Sequence, residues 1–205
     1  MPVTQEDIAN MAIGILEEAE IDSLDDDCKA ARLCKRHFEL TREVELQKHA
    51  WVFAIFRETV TGTDLDTGGG TLNWSYPVPE DALRVLPLTH NGEPDGVLLN
   101  WRREGDAIFS DQSGPRIIRY IANLVDPNDW SALFTDVYVG ALAKKVAHPL
   151  THKASMYERA LAFYNEAVDA ATTANAFERG GTMNTTGWDH ARGDWRARGD
   201  TRRTI

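Results

Sequence analysis

Two cysteines, Cys28 and Cys34, are all that 205 residues contain. They lie six positions apart within a helical pattern, which sets them on different faces and matches no metal-ligand spacing, so both read as reduced, partly buried fillers. No stretch of about 18 apolar residues occurs, which excludes a membrane-spanning helix. The opening "MPVTQEDIAN" lacks the basic and apolar regions of a secretory signal, and the expectation is a protein that stays in the cytoplasm. A glycine loop carrying a phosphate-binding lysine, a nucleophile elbow and a zinc-protease helix are all missing, so three common enzyme classes have no support. The triglycine of "TGGGT" (67–71) precedes no helical pattern and reads as a mobile hairpin tip.

What is present is an ordinary globular composition, 42% hydrophobic and 26% charged, enough for one cored domain or one with an elaborate insertion. Charge is uneven. The formal net charge is −10, yet the last 26 residues hold five arginines against three aspartates, leaving that segment at +2 and the remainder at −12. An acidic body disfavours general nucleic-acid binding, and a basic tail seeks an acidic protein surface.

Thr4 opens a capping sequence, and Ile8, Met11, Ala12, Ile15 and Leu16 follow at the spacing of one helical face. Asp25, Asp26 and Asp27 are expected at the start of a second helix, where they would meet the positive end of its dipole. That helix runs to about His49 with Ala30, Cys34, Phe38 and Thr41 on one buried stripe and Leu33, Leu40 and Val44 on the next. From residue 51 the pattern turns to short aromatic and β-branched runs. Leu72, Trp74 and Tyr76 alternate, Val97 to Arg103 and Ala107 to Ser110 form a hairpin about Gly105, and "PRIIRYIANLV" supplies one more strand.

Helical spacing returns at Asp126, placed as N-cap before Pro127. Trp130, Leu133, Phe134, Val137, Tyr138, Ala141 and Leu142 form an apolar face ending before Pro149. Thr151 opens the last helix, with Tyr157, Ala160, Leu161, Tyr164, Val168 and Ala171 inward and Gly180 and Gly181 as its stop. The predicted fold class is therefore α+β: a four-helix bundle made of an N-terminal helix pair (1–50) and a C-terminal pair (126–179). A small antiparallel β insertion (51–125) projects from it, and an extended arm (180–205) follows.

Converging chemistry is sparse. Asp25, Asp26 and Asp27 with His37 could be read as a metal site, but consecutive helical carboxylates diverge by about 100°, and helix-start charge explains them without an ion. His148 and His152 are four apart, with Pro149 expected to break the helix that would align them. Asp25 and Glu39 are the carboxylates a polymer- or cell-wall-degrading hydrolase would use, without a recognisable pairing. No catalytic residue, cofactor or metal is assigned, and the chain reads as a non-enzyme. The tail repeats Arg-Gly-Asp at 192–194 and 198–200, which admits a host-surface ligand or chance in an arginine-rich segment. It reads either as a solvated end or as an arm that orders on docking. Trp188 and Trp195 favour the arm as anchors, with Arg192, Arg196, Arg198, Arg202 and Arg203 pairing with a partner's carboxylates.

Three stretches carry a resemblance. "AIGILEEAEIDSLDDDCKAARLCKRHFELTREVELQKHAWVFA" (Ala12 to Ala54) holds a short helix, a Ser-Leu-acidic turn, an Ala-Arg-x-Cys helix and a terminal Trp-x-Phe. "YPVPEDALRVLPL" (Tyr76 to Leu88) sets a proline-rich strand start before Leu-Arg-Val. "IIRYIANLVDPNDWSALFTDVYVGALAKKVAHPLT" (Ile117 to Thr151) has a Tyr-Ile strand, an Asp-Pro helix start and a Leu-Ala helix. In order and spacing these resemble the head-to-tail connector (adaptor) family of tailed bacteriophages, those similar to tail tubular protein A of T7-like podoviruses. The first turn departs from the family's Gly-Glu-x-Pro-Ile type sequence, and the last 26 residues have no counterpart.

The resemblance implies a structural virion protein forming a homo-oligomeric, dodecameric ring beneath the portal protein at the head-tail interface, assembled in the host cytoplasm. Such a ring receives the tail or nozzle protein and continues the channel through which genomic DNA passes without sequence-specific contact. The arm would dock on the portal or on a neighbouring subunit, and no membrane is involved.

Overall fold

The computed structural model describes residues 2–65, 70–94 and 96–179. Four α-helices and seven strands occur among them: α1 Gln5–Ile15, α2 Lys29–Lys48, β1 Ile55–Val60, β2 Thr63–Asp64, β3 Trp74–Pro77, β4 Ala82–Val85, β5 Trp101–Glu104, β6 Ala107–Ser110, β7 Arg116–Ala122, α3 Ala132–Thr151 and α4 Ala154–Glu178. The class is α+β, with every strand pairing antiparallel. The strands form two sheets, ordered β1-β7-β4 and β2-β3-β6-β5.

These sheets correct the expected four-helix bundle with a projecting β insertion. Along β7 the side chains alternate, as strand geometry requires. Ile121 enters the core of the helices, while Ile118, Tyr120 and Ala122 enter a second core with Tyr76, Ile108 and Leu99 from the other sheet side. A bulge between Ala82 and Arg84 adds a residue to β4, so that Leu83 packs on the helical core and Arg84 reaches the Gln47 carbonyl at the end of α2 (2.7 Å). The first sheet is thus a middle layer between helices and second sheet. The apolar stripes of the helices are covered partly by Trp51, Leu86 and Ile121 instead of by one another.

Helix α3 is the hub, touching α1, α2 and α4, and it buries Phe134, Val137, Tyr138, Leu142 and Val146. Aromatic rings gather where it begins: Phe134 lies 5.4 Å from Trp51, 5.2 Å from Phe53 and 5.4 Å from Trp130, at the tilted and edge-on angles rings prefer. Helix α4 is peripheral. Only Ala160 and Ala171 on it are fully buried, and Tyr157, expected inside, is exposed. Close approach replaces broad burial here, because a Cβ at Gly140 would stand 2.9 Å from the Tyr164 Cα.

Several boundaries move. In α1 the buried stripe is Ile8, Ala9, Ala12 and Ile13, turned away from Met11. Thr4 makes the expected cap, with Asp7 as its reciprocal partner (3.1 and 2.9 Å). Asp25, Asp26 and Asp27 precede α2, whose cap is Cys28, its Sγ accepting from the Ala31 amide at 3.4 Å. Asp26 closes the preceding turn on the amides of Asp22 and Ser23, both at 3.0 Å, while Asp25 and Asp27 form exposed ion pairs with Lys35 and Arg32. Leu40 lies on the exposed face of α2, where Arg42 and Glu45 take the buried places.

Asp126 caps a short 3₁₀ turn (Pro127–Asp129), and Ser131 then caps α3. Pro149 lies inside α3, which runs two residues further before His152 ends it in the left-handed conformation (φ 55°). A proline so near the end removes one hydrogen bond of a turn that terminates anyway. Thr151 therefore closes α3 and does not open α4. Between Val97 and Arg103 only Trp101 onward is strand, with one isolated bridge from Leu98 to Thr89. Gly105 does turn the β5–β6 hairpin, at φ 58°. The predicted helix stop at Gly180 and Gly181 and most of the triglycine tip fall outside the described residues.

Candidate interaction surface

Every residue assigned to the docking arm (Trp188, Arg192, Trp195, Arg196, Arg198, Arg202 and Arg203) and both Arg-Gly-Asp segments lie outside the described residues. The surfaces to be read are therefore those of the body.

An apolar groove runs where α1, α3 and α4 meet. Met11, Gly14 and Ile15 form one wall, Val139 the floor, and Ala162 and Phe163 the other wall, around a space of about 610 Å³. The sequence makes this groove in three ways. Burial of Ile8, Ala9, Ala12 and Ile13 leaves Met11 48% exposed. Gly14 presents no side chain, and a Cβ there would meet nothing within 4 Å. Gly140 draws α4 against α3 beside Phe163, which remains 36% exposed.

Asp136, Arg159 and Glu166 stand on the groove's rim. Arg159 is engaged by Glu17, so the uncompensated charge there is acidic. Across the Met11–Gly14 ridge lies a second depression of about 580 Å³, which includes Asp7 and Glu20. An apolar floor with carboxylates around it suits retention of an apolar, cationic segment. The opposite end of the molecule also exposes apolar side chains: Val97 is 72% and Leu98 67% accessible in the loop before β5.

The densest polar cluster joins α2 to α3 and α4. Glu45 is 2% exposed, and its two carboxylate oxygens accept from Lys48 Nζ (2.6 Å) and Tyr164 Oη (3.1 Å). Lys48 Nζ also donates to Tyr164 Oη at 2.8 Å, and Lys144 Nζ sits 3.7 Å from the centre of the Tyr164 ring. Burial pushes the Lys48 ammonium toward losing its proton, but bonds from Glu45 and Tyr164 outweigh it, and its pKa ends raised. Lys144 is lowered by burial and by the nearby Lys48 charge. Lysine, tyrosine and carboxylate can move protons, but here each satisfies another, and the cluster acts as a clamp between helices.

The remaining candidates separate. Asp25 is taken by Lys35, and Glu39 is exposed on α2. His37 is held below its usual pKa by burial, then by Lys145 and Arg36. The rings of His148 and His152 are 6.5 Å apart across the last turn of α3, and Lys29 Nζ lies 3.1 Å from His152 Nε2. Among the described residues no three of His, Cys, Asp and Glu converge as metal ligands, and no helix is long and apolar enough to cross a membrane.

No protein-family model matches the chain, and no curated protein matches its sequence. The groove was missed because Met11 and Ile15 fit the helical spacing as well as Ile8 and Ala12 do. Gly14 and Gly140, each inside a helix, were the available signal that a surface opens or closes there.

Proposed function

We propose that this chain is a structural, non-enzymatic component of a virion, a head-to-tail adaptor that forms a dodecameric ring beneath a portal protein. It continues the DNA channel there and gives the tail or nozzle protein its attachment site. One observation carries the reading furthest: a cationic segment bearing Trp188 and Trp195 belongs to a body with an apolar groove rimmed by Asp136 and Glu166, acids in no ion pair among the described residues. That is the complementarity a subunit needs to be gripped by, or to grip, a like subunit. Apolar exposure at two well-separated places, the helical groove and the Val97–Leu98 loop, supports it further. A ring is built from heterologous contacts, in which each copy offers two different faces. The acidic body suits a channel that DNA must traverse without being held.

The arm docks on the portal or on a neighbouring adaptor, with its tryptophans in apolar grooves and its arginines on rim carboxylates. Co-sedimentation with DNA-filled, tailless heads tests this. Full-length protein is expected to pellet with heads at a saturable number of copies, and protein ending at Arg179 to remain in the supernatant. Pelleting of neither form would remove the adaptor reading, and equal pelleting of both would remove the arm's part in it.

A further inference from the structure

The first sheet contains a like-charge pair of which only one member has an ion-pair partner among the described residues. The β1–β7 register sets Arg57 directly opposite Arg119, an arrangement that weakens a sheet unless an anion intervenes. Arg57 has its anion: Glu93 accepts from its two terminal nitrogens at 2.7 and 3.1 Å. Arg119 feels the Glu93 charge but makes no direct ion pair among the described residues. Its Nε is buried and without a hydrogen-bond partner, and no ion pair joins it to a described residue. Burial first, then the charges of Arg57 and Arg179, hold the Arg119 guanidinium below the usual arginine pKa, with Glu93 acting the other way. It still carries its proton at any working pH.

Arg119 opens into a pocket of about 250 Å³ at the junction of α2, the first sheet and the end of α4. Arg179 is its second cation, held in place by donating to the Ala50 carbonyl. Ile55, Leu86, Pro87 and Pro94 supply the walls. Two guanidinium groups in an apolar recess favour a planar oxyanion that can be gripped bidentately, and the walls favour a short aliphatic stem behind it. The recess is too small for a nucleotide, and its walls give a fully hydrated phosphate nothing in return for lost water.

We propose that the Arg119–Arg179 pocket is a binding site for a carboxylate carried on a short aliphatic stem, the chemistry shared by a glutamate side chain and a small free dicarboxylate. Its occupant supplies the direct carboxylate partner that Arg119 does not find among the described residues. The site stands on this geometry alone and holds whether or not the chain is an adaptor.

The test is a titration of the full chain at constant ionic strength, followed by the δ-methyl NMR signal of Ile55, with sodium glutarate, N-acetyl-glutamate methylamide, inorganic phosphate and sodium chloride as separate probes. Saturable shifts with either glutamate-like probe, at least about tenfold weaker in Arg119→Gln and in Arg179→Ala, are expected from the loss of one charged hydrogen-bonding group. Stronger binding of the methylamide would mark a polypeptide side chain as the source, and stronger binding of glutarate a free metabolite. Arg179→Ala alters an exposed position and leaves the Ala50 carbonyl its second donor, Asn175, so it reports even if Arg119→Gln fails to fold. Shifts no larger than those from chloride would overturn the proposal. So would binding of phosphate alone, or glutarate binding unchanged in Arg179→Ala.

Discussion

Two glycines inside helices are expected to respond oppositely to the same substitution. Gly140 lies within α3 where α4 crosses it, and a methyl there would stand 2.9 Å from the Tyr164 Cα, 3.0 Å from the Phe163 ring and 3.1 Å from the Tyr164 Cβ. The Phe163 ring can rotate toward solvent, but the Cα cannot, so α4 must move outward by about 0.5 Å to restore ordinary contact. Alanine gains about 1 kcal/mol over glycine in a helix interior, and overpacking costs about 1–3 kcal/mol. With backbone as the obstacle the cost falls at the upper part of that range, about 2–3 kcal/mol, and Gly140→Ala should lose about 1–2 kcal/mol net. Gly14, near the end of α1, has open space where its Cβ would go, so Gly14→Ala keeps the helix gain of about 0.5–1 kcal/mol. Urea unfolding of both variants beside the wild type measures the difference, and a thermal midpoint should shift by about 2–4 °C per kcal/mol at this size. Gly140→Ala as stable as the wild type would refute the close α3–α4 approach that shapes the groove.

Other consequences follow from single contacts. Thr4→Ala should cost about 1 kcal/mol through loss of the α1 cap, read as a lower urea midpoint. Asp7 is held below the usual carboxylate pKa by its bond from the Thr4 amide, then by the Thr4 hydroxyl. Its contribution is therefore complete above the unfolded value of about 4 and disappears as pH falls through the lower folded value. Acid unfolding curves of wild type and Asp7→Asn should differ at neutral pH and converge in strong acid. Burial, then the neighbouring Cys28, pushes the Cys34 thiol up to about 11, so iodoacetamide at pH 8 should label Cys28 and spare Cys34 until the protein unfolds, as mass spectrometry would show. Glu45→Ala strands Lys48 and Tyr164 and should cost about 2–4 kcal/mol, reduced from the fully buried case because Lys48 reaches solvent. A loss under 0.5 kcal/mol in calorimetry would show that the clamp is dispensable.

The helices were legible because their stripes and caps are local: Thr4, Phe38, Phe134 and Tyr138 each stand where spacing placed them. How the layers stack was not legible. Whether Leu83 and Leu86 face helices or a second sheet depends on a bulge at Leu83, and one inserted residue leaves no mark on hydrophobic periodicity. Residues such as Arg42 and Glu45 broke the apolar pattern of α2 because they are buried through partners elsewhere in the chain, Asn123 and Tyr164. The groove escaped for a related reason. Spacing identifies a face as apolar, and only packing tells whether a neighbour covers it.

Electron microscopy of tailless, DNA-filled heads mixed with this protein tests the adaptor reading most directly. Full-length protein is predicted to add one ring of density at a single vertex, coaxial with the portal, and protein ending at Arg179 to add none. Heads unchanged by the full-length protein, or protein scattered over the capsid surface, would contradict it.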